Sequence, residues 1–301
     1  MWFLFALLGV FCWALVNVLD SFLVNTFGNH EPVVIMWFQS WFSLTILGLM
    51  GAFYLPHPSS IDWLAFLLFS GISAYLGDLV FLKALNRMDV SITNLAWALL
   101  AIFLSAVGIL IFREQWTSYQ SIGAILIVTA LLLIPLSNTS QITKNEMILL
   151  PLLALLYTPF FVTQKYALMS GETFFGIFFW QMLGREFCSF IFPWTGKKMR
   201  NSLITSLNCL NFSYVLTIAL TMVFLFAGDL LTQASYQIGQ LSLVSIVSNI
   251  QPFIVLVFAW MFVRFIPQYS PREVVTWQAL GTKTAAFSLA FTGLLFIAYT
   301  T

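Results

Sequence analysis

Four acidic and four basic side chains lie inside stretches that are otherwise apolar: Asp20, Asp78, Glu186 and Asp229 against Lys83, Lys165, Arg185 and Lys283. A charge within a membrane span costs roughly 2.5–3.5 kcal/mol on insertion scales and by default faces the interior of a helix bundle. A carboxylate kept out of water can take up and release a proton in coupled transport, or bind a cation. A guanidinium matches a carboxylate or phosphate with its fork. The two signs balance, so for any single residue an ion pair that only holds the bundle is an equally good reading.

Asp78 and Asp229 are the sharpest pair, each about one turn beyond the centre of its apolar segment. Asp229 shares a helical face with Gln233, Tyr236 and Gln237, and Gly71, Tyr75 and Asp78 align in the same way. Trp13, Asn17 and Asp20 share one face of the first segment. Gln181 and Arg185 stand one turn apart; Arg185 fits either an anionic group on a substrate or an acidic partner on another helix, and Glu186 points to a different face. The fourth segment carries a small-polar face of Asn94, Trp97, Ala101, Ser105 and Gly108, matched in the ninth by Ser245, Ser248, Asn249 and Pro252. Small residues let helices approach closely, whereas Asn94, Trp97, Ser248 and Asn249 are cavity candidates. Pro252 lacks an N–H and predicts a kink or gate. Lys165 is placed to snorkel to the interface. Arg113, Glu114 and Arg264 read as interfacial.

No catalytic residue, metal or cofactor is expected. His30 and His57 have no acidic or His neighbour at ligand spacing, Cys12, Cys188 and Cys209 show no metal or redox pattern, and no His/Cys/Ser constellation suggests an enzyme. No Walker-type loop appears, so any transport is not driven by this chain's own ATP hydrolysis.

The elements that must position these residues are apolar runs at about 2–24, 33–55, 61–85, 91–112, 118–136, 147–169, 173–193, 213–237, 241–264 and 275–299. A bilayer core of ~30 Å needs about 20 apolar residues per helix. The 301 residues are 60% hydrophobic and 8% charged, against about 25% charged in soluble domains, which excludes a soluble globule. A net charge of +1 leaves no footprint for nucleic acid. The runs are continuous, not alternating, which predicts α-helices and not a barrel. The first, starting at Trp2 without a basic leader or cleavage site, reads as a retained helix. The fold class is therefore an all-α membrane protein with ten transmembrane helices.

The pattern repeats. Leu76-Gly77-Asp78-Leu79 matches Ala227-Gly228-Asp229-Leu230; in that register Ser91 falls on Ser242, Asn94 on Ser245, Gly108 on Ala259 and Arg113 on Arg264. After a short insertion Tyr119-Gln120-Ser121-Ile122-Gly123 matches Trp277-Gln278-Ala279-Leu280-Gly281. An odd number of helices per unit turns the second copy over, giving two inverted five-helix repeats, 1–136 and 147–301, around a path near the midplane.

With these residues placed, the chain resembles the drug/metabolite transporter superfamily, in its ten-helix EamA-type branch. The likeness rests on Trp13, Leu82-Lys83-Ala84-Leu85, Asp89-Val90-Ser91, the turn Phe112-Arg113-Glu114, then Gln120 and Gly123. Asn17-Val18-Leu19-Asp20-Ser21 looks like the Asn-x-x-Asp-Lys of some members. Ala101 replaces the family's mid-helix proline in the first half, and Phe265 the turn glutamate in the second.

The resemblance implies a multi-pass secondary transporter of the cytoplasmic membrane, working by alternating access, and an exporter. Its partners would be a small-molecule solute, the lipid bilayer and protons as coupling ion. The mixture of acid, base and aromatic groups favours a small zwitterionic metabolite such as an amino acid or derivative; the alternatives are a proton-coupled exporter of lipophilic cations, and a lipid flippase or non-transporting subunit. Loops after odd-numbered helices hold Arg87, Lys144, Lys197, Lys198, Arg200 and Arg272, which puts both termini outside the cell, whereas the resemblance implies cytoplasmic termini.

Overall fold

A computed structural model describes residues 1–26, 32–88, 93, 95–133, 144–207, 211–265 and 277–299. His30, Asp89, Val90, Ser91, Asn94, Cys209 and Arg272 lie outside the described residues, as do the side chains of Lys144, Ala259, Arg264, Phe265, Gln278 and Lys283. The first half holds α1 (Trp2–Thr26), α2 (Pro32–Phe53), α3 (Ile61–Leu85), α4 (Leu95–Leu110) and α5 (Ser118–Leu133). The second holds α6 (Lys144–Met169), α7 (Phe174–Ile191), a 3-10 turn (Phe192–Thr195), α8 (Lys197–Leu207), α9 (Phe212–Ile238), α10 (Leu241–Ser248), α11 (Gln251–Phe265) and α12 (Trp277–Ala298).

Helix is the outcome that satisfies backbone groups within each apolar run, and polar side chains mark the starts. Ser60, Thr173 and Asn211 accept from the N–H groups of Trp63, Gly176 and Tyr214 at the heads of α3, α7 and α9. Gln120 completes a capping box at α5: its Oε1 accepts from Thr117 N at 2.9 Å while Thr117 Oγ1 accepts from Gln120 N at 3.3 Å. Six stretches are long and apolar enough to cross a membrane: Trp2–Val24, Pro32–Phe53, Ile61–Leu85, Ile148–Met169, Phe212–Ile238 and Leu241–Phe262. Shorter apolar helices run over Ala96–Leu110, Ser118–Leu131 and Thr284–Ala298. The protein is an integral, multi-pass, all-helical membrane protein.

Two details go beyond the apolar runs. The 194–212 connection carries α8, whose Lys197, Lys198 and Arg200 are exposed and whose Leu203 is buried. The ninth apolar run is interrupted at Asn249 and Ile250, just before Pro252. Pro252 offers no N–H to the Ser248 carbonyl, Phe253 N donates to Ile250 O at 3.0 Å, and the chain restarts as α11 with Pro252 in the first turn, where proline is favoured.

Packing interleaves the two halves. Helix α1 lies along α9 and α6 along α3; α4 touches α6, while α10 and α11 touch α1; α2 meets α7, α4 meets α10, and α5 meets α12. On the last pair a Cβ added to Gly123 would stand 2.6 Å from the Gly293 carbonyl, and one on Gly293 equally close to that of Gly123, so the backbones touch.

A latch ties the α4–α5 turn to the head of α10. Glu114 accepts from Leu241 N at 2.6 Å, from Ser242 N at 3.0 Å and from the Ser242 hydroxyl, and Trp116 Nε1 donates to Ser242 Oγ at 2.8 Å. A carboxylate at a helix N-terminus satisfies orphan donors and opposes the macrodipole. We expect Glu114→Ala to remove roughly 1.5–3 kcal/mol, the range for hydrogen bonds to a charged group, read as a lower unfolding midpoint of the detergent-solubilised protein. A midpoint equal to wild type would show the latch to be idle.

Candidate substrate and ion site

The centre of the bundle is built on Asp78. Gly77 makes room for it: a Cβ there would stand 2.6 Å from the Tyr157 ring of α6. Tyr157 lies over the carboxylate and its hydroxyl donates to Asp78 Oδ1. Gly228, beside Asp229, takes Trp13 of α1 in the same manner, with 3.2 Å from its would-be Cβ to the indole. Helix α7 brings Arg185 between the two aspartates. Its Nε meets Asp78 Oδ2 at 2.6 Å, its Nη1 lies 3.7 Å from Asp229 Oδ2, and Glu186 Oε1 is 3.9 Å from Nε. Asp20, on α1, accepts from Gln39 Nε2 of α2 at 2.9 Å.

A small cavity opens onto this cluster, walled by Trp13, Val16, Asn17, Asp20, Gln39, Asp78, Phe81, Leu82, Trp97, Tyr157, Arg185 and Leu225. A second is walled by Trp13, Trp97, Leu100, Ala101, Leu104, Phe161, Thr232, Tyr236, Ser245, Ser248 and Gln251. Trp13 and Trp97 wall both, and Trp97 packs edge-on against Tyr157 with centroids 5.0 Å apart. One cavity is acidic and aromatic; the other has no charged wall residue.

Charge is unequal here. Asp20, Asp78, Glu186 and Asp229 gather round Arg185, while Lys83 and Lys165 lie elsewhere. Lys83 is exposed in the last turn of α3. Lys165 does not snorkel outward: its Nζ donates to Tyr236 O at 2.8 Å and Gly239 O at 2.7 Å, capping the carbonyl end of α9. Surplus carboxylate in a water-poor site calls for protons or a cationic ligand.

Of the residues singled out in the sequence, Asp78, Asp20, Asn17, Trp97 and Arg185 come together in the acidic cavity, and Ser248 walls the second. Asp229 sits just behind Arg185. Gln181 and Gln233 are tied between helices. Gln181 Nε2 donates to Ser70 Oγ and Phe160 O at 2.9 and 3.0 Å; Gln233 Nε2 donates to Phe174 O at 2.6 Å, and its Oε1 accepts from Gln164 at 3.1 Å. Asn249 lies at the break between α10 and α11, buried, with neither side-chain polar atom bonded among the described residues. Tyr157 and Gln39 were not foreseen as site residues. The signal for Tyr157 was the glycine before each aspartate, which leaves space for an aromatic ring from the helix alongside.

Apolar helices thus close around a charged, aromatic-walled cavity. The EamA-like transporter family, a branch of the drug/metabolite transporter superfamily, matches residues 1–136, and members of that family move small-molecule solutes across a lipid bilayer. A solved crystal structure 11% identical shares the fold, with a TM-score of 0.61 over 97% of this chain and 95% of its own. No curated protein matches the chain.

Proposed function

We propose that this transporter is a secondary carrier that exchanges a small organic cation for protons across the cytoplasmic membrane, as an exporter working by alternating access. The observation that carries the reading is the Arg185–Asp78 pair. Arg185 is already engaged by carboxylates, so the anion-binding role that a zwitterionic substrate would require of it is taken. Asp20 and Asp78 face a cavity walled by Trp13, Trp97, Phe81 and Tyr157, and aromatic faces favour a cation. The two units are 1–136 and 147–301, inverted copies: the paired packing of α1 on α9 and α6 on α3, and the aromatic ring beside Gly77 and Gly228, support this.

The exposed cations Arg87, Lys197, Lys198 and Arg200 follow α3 or form α8. Trp2 reaches the opposite end, beside Gly239. The excess of basic residues supports termini outside the cell. An apolar groove of Ile46, Leu49, Met50, Phe53, Tyr54, Pro56, Phe175 and Phe179 opens between α2 and α7, but it shares no wall with either cavity, so it lends little to a flippase reading.

The test is thermal unfolding of the purified protein with tetraphenylphosphonium, small aliphatic amines, amino acids and nucleotides. Binding to the folded state stabilises by about 2.7 kcal/mol at a hundredfold excess over Kd. We expect stabilisation by cations. Stabilisation by nucleotides or amino acids alone would overturn the reading.

A further inference from the structure

We propose, resting on the cation-exchange reading above, that substrate and proton occupy different carboxylates, and that Arg185 couples them. The substrate cation sits at Asp20 and Asp78, on the cavity wall; the proton sits on Asp229, outside it. Asp78 and Arg185 both wall the acidic cavity and Asp229 does not. Asp229 is 1% exposed, and neither of its carboxylate oxygens has a hydrogen-bond donor among the described residues. A buried carboxylate without donors is sustained as an anion only by a nearby cation, and the guanidinium 3.7 Å away is the one at hand.

That guanidinium is committed elsewhere, with Nε at 2.6 Å from Asp78. The elements packed on α9 bring few other ionisable groups. Among the described side chains, helix α1 carries Cys12 and Asp20, α6 carries Tyr157, Lys165 and Tyr166, and α7 carries Arg185, Glu186 and Cys188; α2 and α10 carry none, and α9 itself adds Tyr214 and Tyr236. Lys165 is held by the Tyr236 and Gly239 carbonyls. Arg185 is therefore the group through which a charge in the cavity reaches Asp229.

The exchange balances. A cation entering between Asp20 and Asp78 competes for Asp78 and repels the guanidinium, which turns towards Asp229. The O–H bond of Asp229 breaks, its electron pair stays on the carboxylate, and the proton leaves to the solution that the site faces. One positive charge has entered and one has left, so the buried charge is unchanged and no further insertion cost arises. Protonation of Asp229 from the other side returns Arg185 to Asp78 and releases the substrate.

The experiment adds tetraphenylphosphonium to the protein in weakly buffered detergent solution and records the pH. Wild type should release about one proton per cation bound. Asp229→Asn should keep the thermal stabilisation by the cation and release no proton; in proteoliposomes it should keep cation–cation exchange and lose at least tenfold in uptake driven by a pH gradient. Asp78→Asn should lose both stabilisation and release. Proton release by Asp229→Asn equal to wild type would move the site elsewhere, and loss of cation binding would make Asp229 a substrate ligand; either overturns the proposal. Zero release by wild type with binding intact overturns it without any variant, while the cation-exchange reading survives in a proton-independent form. Absence of binding to wild type removes both.

Discussion

Replacing Arg185 by Gln is expected to lower the stability of the protein by about 3–5 kcal/mol, the cost of removing one partner from a buried ion pair, and to abolish transport. Arg185 is 5% exposed and meets Asp78, Glu186 and Asp229. Without it the three carboxylates face one another with no cation among the described residues in reach. The loss should appear as a fall in unfolding midpoint on the order of 10 °C, taking roughly 2–4 °C per kcal/mol for a chain of this size class. The double variant Arg185→Gln/Asp78→Asn removes the charge together with its closest partner and should recover much of the midpoint while transport stays lost, because a neutral pair of similar shape avoids the desolvation cost. A single variant as stable as wild type would show that the cluster is not held by its ion pair.

Most of the helices were legible because lipid imposes the rule: an uninterrupted apolar run of about 20 residues has no other satisfactory backbone conformation. What failed to show was decided by contacts between runs. The interruption at Asn249 was not placed, since Pro252 announces a lost hydrogen bond and not where the chain restarts. Helix α8 was hidden in a loop because its cations and short length match no membrane pattern. Gln181 and Gln233 read as cavity-lining because they are polar and intramembrane; the bundle uses them to join α7 to α3 and α6, and α9 to α6 and the head of α7. Glu114 read as an interfacial turn residue and turns out to cap a helix of the other half. The acidic residues of the centre were all visible, but their pairing was not: sequence offers Arg185 either a substrate anion or any of several carboxylates, and the depth of α7 against α3 selects Asp78.

That depth is set by two glycines. A Cβ on Gly71 would collide with the Gln181 carbonyl and stand 2.9 Å from Arg185 N, and one on Gly184 would lie 2.5 Å from the Leu68 carbonyl and 3.0 Å from Leu68 Cα. The obstacles are backbone, so no side-chain rotation relieves them and α3 and α7 must separate. Asp78 lies two turns beyond Gly71, and Arg185 adjoins Gly184, so separation acts directly on the 2.6 Å contact between them. Overpacking a core costs typically 1–3 kcal/mol, and here part of the ion-pair energy is added. Gly71→Ala is expected to lose transport and at least about 2 kcal/mol of stability, and Gly71→Val to leave no folded protein in detergent. Gly48 is the control. A Cβ there meets nothing within 4 Å, and alanine is the better helix former by about 0.8–1 kcal/mol, so Gly48→Ala should match or exceed wild type in both readouts. If Gly71→Ala instead behaves like Gly48→Ala, the α3–α7 crossing has slack, and the Arg185–Asp78 contact is held by electrostatics and not by the approach of the two backbones.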